Sequence, residues 1–305
     1  MMKDRVTLCT CFAVLFALLI FPATCLSTPV MPPLNSEKQT EQLTGKFIWR
    51  DLATTEMGEL KKFYGEVFGW AFDTISDSTD EYTLVLNGDH SVAGMFTYVP
   101  QDGGKQGASW FGTMSVDDPD KAASRVEQLG GVVRIQPKDL PHRGAYALFL
   151  DPEGAFFGVL KSSSGDPPDR LFSEVAIGDF IWMDLFADQP DKEAEFYQQL
   201  AGYKIITSEV KAGVERLILE SQDQPRAGIV PLPEDANRAG WLPYVRVADV
   251  SETLEKVIAA GGFVMVEPSE ELMEGNLAIF ADPQGGVLGV VKWVEYQTGN
   301  EGGSQ

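Results

Sequence analysis

The chain repeats itself, and that constrains its fold more than any other feature. Gly45-Lys46-Phe47-Ile48-Trp49-Arg50-Asp51-Leu52 returns as Gly178-Asp179-Phe180-Ile181-Trp182-Met183-Asp184-Leu185, and Phe63-Tyr64 with Gly69 returns as Phe196-Tyr197 with Gly202, all at an offset of 133. Further on, Val116, Asp118, Gly130-Gly131, Asp151-Pro152, Gly154 and Lys161 return as Val247, Asp249, Gly261-Gly262, Asp282-Pro283, Gly285 and Lys292 at an offset of 131. Ordered matches of this number mark a tandem duplication, with a two-residue length difference inside it.

Each half has its own internal order. Phe47 to Ala53 reads as a strand and Thr55 to Val67 as a helix, since Leu60, Phe63, Tyr64 and Val67 recur on one helical face and Gly69 provides a stop. Three short strands follow, near Trp70 to Ile75, Tyr82 to Leu86 and Val92 to Val99. The order then restarts with a strand at Ser109 to Val116 and a helix capped by Asp118 that runs to Leu129. Strands at Val132 to Ile135, Ala145 to Leu150 and Phe156 to Lys161 close the half. The unit is βαβββ, twice per half and four times in the chain.

Ahead of the repeats, Lys3 and Arg5 precede a nearly unbroken apolar run from Val6 to Phe21, closed by Pro22. That is the pattern of a secretory signal, shorter than the roughly 20 residues a membrane span needs, with an uncleaved anchor as the lesser alternative. Cys9, Cys11 and Cys25 all fall in or beside it, so the body has no cysteine for an internal disulfide. Pro22-Ala23-Thr24-Cys25 is similar to a lipobox but departs from it, with Pro where Leu is usual and Thr where Gly or Ala is usual; lipidation of Cys25 and plain cleavage after Cys25 or Ser27 both stay open. The expected division is a signal over 1–27, a flexible tether over 28–44, modules over 45–162 and 178–296 joined by a linker over 163–177, and a polar tail over 297–305. The expected location is outside the cytoplasm, periplasmic or lipid-anchored. With 24 Lys and Arg against 45 Asp and Glu, the net charge of −21 disfavours nucleic acid and anionic membrane as partners.

The duplicated βαβββ pattern, with its Phe-Tyr, Val-x-Asp and Asp-Pro-x-Gly landmarks, resembles the vicinal oxygen chelate superfamily, which includes glyoxalase I, bleomycin-resistance proteins and extradiol dioxygenases. The resemblance covers about Gly45 to Glu295. It implies an α+β fold in which paired units curl mixed sheets around cavities, two modules in tandem. It also implies that catalytic members hold a divalent metal on the first, central and last strands of a module. The corresponding positions here hold Trp49 and Trp182, Phe111 and Leu242, and Gly158 and Gly289. None of these side chains offers a metal a lone pair. The expectation is therefore no metal and no cofactor, and no glyoxalase I or dioxygenase chemistry.

Alternation places Phe47, Trp49, Asp51 and Ala53 on one face of the first strand, and Phe180, Trp182, Asp184 and Phe186 on one face of its repeat. Aromatic rings with a carboxylate beside each suit a flat organic ligand, and they equally suit a plugged cavity. Trp110 and Trp241 precede the central strands, and Arg143 with His142 stands at the expected cavity mouth. The ligand-binding candidates are thus Trp49, Asp51, Trp182, Asp184, Trp110, Trp241 and Arg143; the weak catalytic candidates are Asp51, Asp184 and His142. Asp151-Pro152-Glu153-Gly154 reads as a type I turn without chemistry, and Gly103 to Gly107 as a turn, not a phosphate loop.

Three functions follow, in order of preference. The first is an exported, metal-free protein that binds a small hydrophobic or aromatic molecule, by analogy with the bleomycin-resistance branch. The second is a lyase or isomerase with a pocket carboxylate as base. The third is an envelope structural module with a filled cavity. In each case the two modules are expected to pair within one chain, giving a monomer.

Overall fold

The structure is a computed structural model and describes residues 31–75, 82–100, 107–209, 215–233, 236 and 238–293. The expected signal, Cys25, the Gly-rich loop at 103–106 and the polar tail lie outside those residues.

The first half runs β1 (Phe47–Thr54), α1 (Met57–Phe68), β2 (Ala71–Ile75), β3 (Tyr82–Asn87), β4 (His90–Thr97), β5 (Ala108–Ser115), α2 (Pro119–Gln128), β6 (Val132–Leu140), β7 (Gly144–Leu150) and β8 (Phe156–Ser162). The second repeats it as β9 (Phe180–Ala187), α3 (Pro190–Ala201), β10 (Lys204–Glu209), β11 (Glu215–Ser221), β12 (Gln224–Pro231), β13 (Gly240–Arg246), α4 (Val250–Ala259), β14 (Phe263–Val266), β15 (Leu277–Ala281) and β16 (Val287–Val291). Each half folds its two βαβββ units into one mixed eight-stranded sheet, ordered β2-β3-β4-β1-β5-β8-β7-β6 and β10-β11-β12-β9-β13-β16-β15-β14. The fold is thus the expected α+β pair of modules, with open curved sheets.

Local chemistry sets the element ends. Asp118 Oδ1 accepts from the amides of Asp120 and Lys121 at 3.1 Å each, and Asp249 Oδ1 from Glu252 N at 3.0 Å, so both second helices start on a carboxylate cap. Gly69 ends α1 in the left-handed region at φ 72°, where a side chain would be strained, and its N–H reaches Gly65 O at 3.0 Å.

The helices lie between the modules. α1 packs against α4, and α2 against α3. Each main core cluster is therefore built from both halves: Leu60, Phe63 and Tyr64 meet Leu254, Phe280 and Leu288, while Phe149 and Phe157 meet Phe196, Tyr197 and Trp241. Fit at this boundary is close. A Cβ on Gly112 would stand 2.5 Å from the Phe47 ring and 2.6 Å from Met183 Sδ. Burying both helix faces against each other leaves the concave faces of the two sheets pointing outward as two cups.

Residues 31–44, expected to be a flexible tether, run along the first module. Gln39 N donates to Ser164 O at 2.7 Å, Asp166 N to Glu41 O at 2.9 Å, and the Asn35 side chain to Gly165 O at 2.9 Å. Met31 is buried against Trp49, Tyr82, Leu84 and Leu140, over the cup. The linker does the same for the second module: Phe172 meets Trp182 edge-on at 5.8 Å and Trp293 at 4.6 Å.

Candidate functional site

Strict alternation fails at one place, and the failure shapes the cups. The β1–β5 register shifts between Phe47 and Trp49, and the β9–β13 register shifts opposite Phe180 and Trp182. This bulge turns Phe47 and Phe180 into the module boundary, whereas Trp49 with Asp51 and Trp182 with Asp184 face the cups. The sequence expectation of one shared face for Phe47 and Trp49, and for Phe180 and Trp182, is corrected accordingly.

In the first cup Asp51 is buried under a closed polar knot. Tyr82 Oη donates to Asp51 Oδ1 at 2.6 Å, and Trp49 Nε1 reaches both Tyr82 Oη at 2.9 Å and Asp51 Oδ1 at 3.2 Å. Burial pushes the Asp51 carboxyl up, while the Tyr82 hydrogen bond and the nearby Arg143 charge pull it back. Arg143, 2 % exposed, stacks 4.0 Å above Trp49 and donates Nη1 to Pro32 O at 3.0 Å. Its neighbour His142 is exposed, with its backbone at φ 65°.

The second cup solves the same problem with different residues. Trp182 Nε1 donates to Asp184 Oδ1 at 2.8 Å, and Arg216 forms an ion pair with Asp184 Oδ2. Strand register shows why: Asp51 lies opposite Gly94, which lies opposite Leu84, and Asp184 lies opposite Gly228, which lies opposite Ile218. Arg216 therefore stands where the first module has Tyr82. Neither residue was a sequence candidate, because their equivalence depends on cross-strand pairing and not on the repeat offset.

Trp110 and Trp241 face the module boundary. Trp110 Nε1 donates to Tyr64 Oη at 2.7 Å, and Tyr64 Oη donates to Asp282 Oδ2 at 2.7 Å. Trp241 Nε1 donates to Tyr197 Oη, and Tyr197 Oη to Asp151 Oδ2, both at 2.9 Å. Burial pushes Asp282 up to about 6. Asp151 is raised by burial too, and beside it the buried Glu193 is raised by burial and then by Asp151 itself.

An apolar cavity of about 180 Å³ lies where the second cup meets the first module. Phe186, Leu242, Ile279 and Val287 form its cup wall, with Trp110 and Trp241 at its edge. Ser109 and Arg238 are the polar side chains on the lining, and Arg238 donates Nη2 to Gly154 O at 2.8 Å. Trp49, Trp182 and Arg143 do not reach this cavity; they border a second, larger crevice at the other end of the cups.

Residues 46–159 match the family model for the glyoxalase/bleomycin resistance protein/dioxygenase superfamily, and residues 181–291 match that for a glyoxalase-like domain. Over 259 residues the chain is 30% identical to CFP32 of Mycobacterium tuberculosis, a protein provisionally named as a glyoxylase, covering 84% of this chain and 97% of that one. The chain belongs to the glyoxalase/bleomycin resistance protein/dioxygenase superfamily. It is also 28% identical over 269 residues to the anthracycline biosynthesis protein DnrV of Streptomyces peucetius, covering 84% and 96% of the two chains. Among solved structures, a Mn(II)-bound glyoxalase from Novosphingobium aromaticivorans aligns with TM-score 0.54 at 15% identity over 83% of this chain and 84% of that one. An extradiol ring-cleaving dioxygenase from Brevibacterium fuscum aligns with TM-score 0.55 at 12% identity, over 90% and 77% of the two chains. These two likenesses establish the shared fold.

The superfamily's metal does not fit the residues present. Trp49 and Trp182 have their indole nitrogens engaged as donors, Leu242 lines the apolar cavity, and Phe111 sits among Ala53, Leu148 and Phe156. A Cβ on Gly158 would stand 2.5 Å from Thr113 Oγ1, and one on Gly289 would overlap the Tyr244 ring, so neither site has room for a carboxylate side chain. Among the described residues no group of three or more His, Cys, Asp or Glu side chains converges to hold a metal ion.

Proposed function

We propose that this superfamily member binds a small apolar or aromatic molecule in the cup of its second module, without a metal. The observation that carries the reading is Leu242: at the place where catalytic relatives would put a metal ligand on the central strand, this chain puts one wall of an apolar cavity. Its volume of about 180 Å³ matches a single ring, since a dry cavity of roughly 150 Å³ takes up benzene. Shape and burial would supply the affinity, by way of Phe186, Ile279 and Val287. A lyase or isomerase reading needs a carboxylate free to take a proton, whereas Asp51 and Asp184 are both engaged by neighbours.

The test is a titration with toluene and with p-cresol, followed by NMR, on the wild-type chain and on Leu242→Trp, which fills the cavity. Saturable binding that Leu242→Trp abolishes is the expected result. Binding that survives the filled cavity, or a requirement for an added divalent metal, would sink the proposal.

The same reading places the protein outside the cytoplasm, supported by Lys3 and Arg5 ahead of the apolar run from Val6 to Phe21. Mass measurement of the N-terminal peptide from the native host decides it. A chain starting at Cys25 with added diacylglycerol means a lipid anchor, a chain starting just after Cys25 or Ser27 means release, and an intact Met1 means that no signal is removed, leaving an uncleaved anchor or no export.

A further inference from the structure

A crevice of about 860 Å³ opens where the starts of β1 and β9 come together, bordered by the leading segment 32–37 and by the linker 167–172. Its walls carry Lys46, Arg50, Arg143, Arg170 and Arg226 against Glu37, Asp89, Asp169 and Asp179, nearly balanced in a chain whose net charge is −21. Of these four carboxylates, Glu37 and Asp89 are exposed to solvent, and the other two are already engaged. Asp169 is shared by Lys46 at 2.9 Å and Arg226 at 2.5 Å, and Asp179 by Asn87 at 2.7 Å, His90 at 2.9 Å and Arg170 at 3.7 Å.

Two arginines on the lining are different. Arg50 gives one hydrogen bond, to Phe47 O at 3.2 Å, and lies 5.6 Å from the centre of the Phe180 ring; its buried Nε has no hydrogen-bond partner. Arg143 stacks on Trp49 and gives Nη1 to Pro32 O, and its buried Nη2 has no partner. Among the described residues neither forms an ion pair. A buried cation without a counter-charge is costly, and burial draws the Arg50 guanidinium down to about 10. A guanidinium lying flat on an aromatic ring keeps its N–H edge for a planar anion. The remaining walls include Ile48, Ile181, Trp182 and Phe172, which suit an apolar body.

We propose that this crevice binds a small organic anion, a carboxylate carried on an aromatic or other apolar body, with Arg50 as its anchor and Arg143, across β1, adding only its longer-range charge. The site is separate from the apolar cavity at Leu242, and the proposal does not depend on that one. An incoming carboxylate supplies the counter-charge that the fold withholds from Arg50, whereas Arg143 already feels the charge of Asp51. Arg50 and Arg143 stand on opposite sides of β1, so removing each in turn tells which one holds the anion.

Calorimetric titration of the whole chain with benzoate, beside inorganic phosphate, tests this. Benzoate is expected to bind at one saturable site, more tightly than phosphate and more weakly as salt is raised. Arg50→Gln should weaken benzoate by about tenfold or more, Arg50→Lys by less, and Arg143→Gln by a few-fold. Leu242→Trp should leave benzoate binding unchanged, which separates this site from the apolar cavity. No saturable benzoate binding below about 50 mM overturns the proposal, as does unchanged affinity in both arginine variants. Phosphate binding as tightly as benzoate overturns the apolar body. If Arg50→Gln does not fold, the comparison passes to Arg50→Lys and Arg143→Gln, and unchanged affinity in both has the same force.

Discussion

Tyr64 of the first module donates its hydroxyl to Asp282 of the second at 2.7 Å, and Tyr197 of the second donates to Asp151 of the first at 2.9 Å. Two repeated motifs, Phe-Tyr on the first helix and Asp-Pro-x-Gly before the last strand, are thus the two ends of one reciprocal contact. Each Asp also holds its own turn, Asp151 through Ala155 N at 2.7 Å and Asp282 through Gly286 N at 2.8 Å. The contact locks the modules together and leaves their cups outward.

Removing one hydroxyl should therefore cost stability across the whole chain. Tyr64→Phe leaves Asp282 buried with one partner fewer and Trp110 Nε1 without its acceptor, a loss of about 1–3 kcal/mol. Tyr197→Phe should cost a similar amount. Urea denaturation followed by circular dichroism measures both, and a change below about 0.5 kcal/mol in each would show that the reciprocal contact does not hold the modules.

Most of the fold was legible in the sequence, whereas the side-chain pairings around the candidate sites were not, for a physical reason. Helix and strand positions follow from local periodicity and from stops such as Gly69 and Asp118, and the duplication checks each of them twice. The bulge between Phe47 and Trp49 shifts side chains by a single residue, and no local residue signals it. The pairs Tyr82 with Asp51 and Arg216 with Asp184 arise from strand register, and Tyr64 with Asp282 from 218 residues of separation. Trp110 and Trp241 were candidates from the sequence and do border the apolar cavity, but the pairing of their indole N–H groups with Tyr64 of α1 and Tyr197 of α3 was not legible.

The two boundary contacts are not equal, and pH should expose the difference. Glu193 occupies the position that Leu60 holds in the first module, which sets two buried carboxyl groups, Glu193 and Asp151, beside each other. A carboxyl raised in the folded state favours folding while it is protonated and loses that benefit as pH rises through the folded value. Asp282, raised from 3.8 to about 6, loses its share over that interval, and the Glu193–Asp151 pair continues the loss above it. Melting temperature should fall from pH 5 to pH 8, and Glu193→Leu should flatten the fall while stabilising the chain at pH 8. A variant with the wild-type pH profile would refute the pairing.

Among the described residues the apolar faces of α1 to α4 pack inside the chain, and Ile258 of α4 is the large apolar helix side chain left exposed. Light scattering should give a monomer near the calculated mass of 33.4 kDa for the whole chain, less any cleaved signal. A stable dimer at micromolar concentration would show that the cups or the crevice, and not the helices, carry an interface.

The segment ahead of the first strand should behave as part of the first module. Met31 covers Trp49 and Tyr82, and the carbonyl of Pro32 takes a hydrogen bond from Arg143. Met31→Ser removes most of that apolar cover, which should cost about 1–3 kcal/mol and let water reach the Trp49 indole. Trp49→Phe serves as the reference, so that the emission of the other tryptophans can be subtracted. A red shift in the Met31→Ser difference spectrum, together with the lost stability, is the expected result. An unchanged spectrum and melting point would mean that the segment lies free of the cup in solution, and Arg143 would then lose its carbonyl partner and stand open to the crevice.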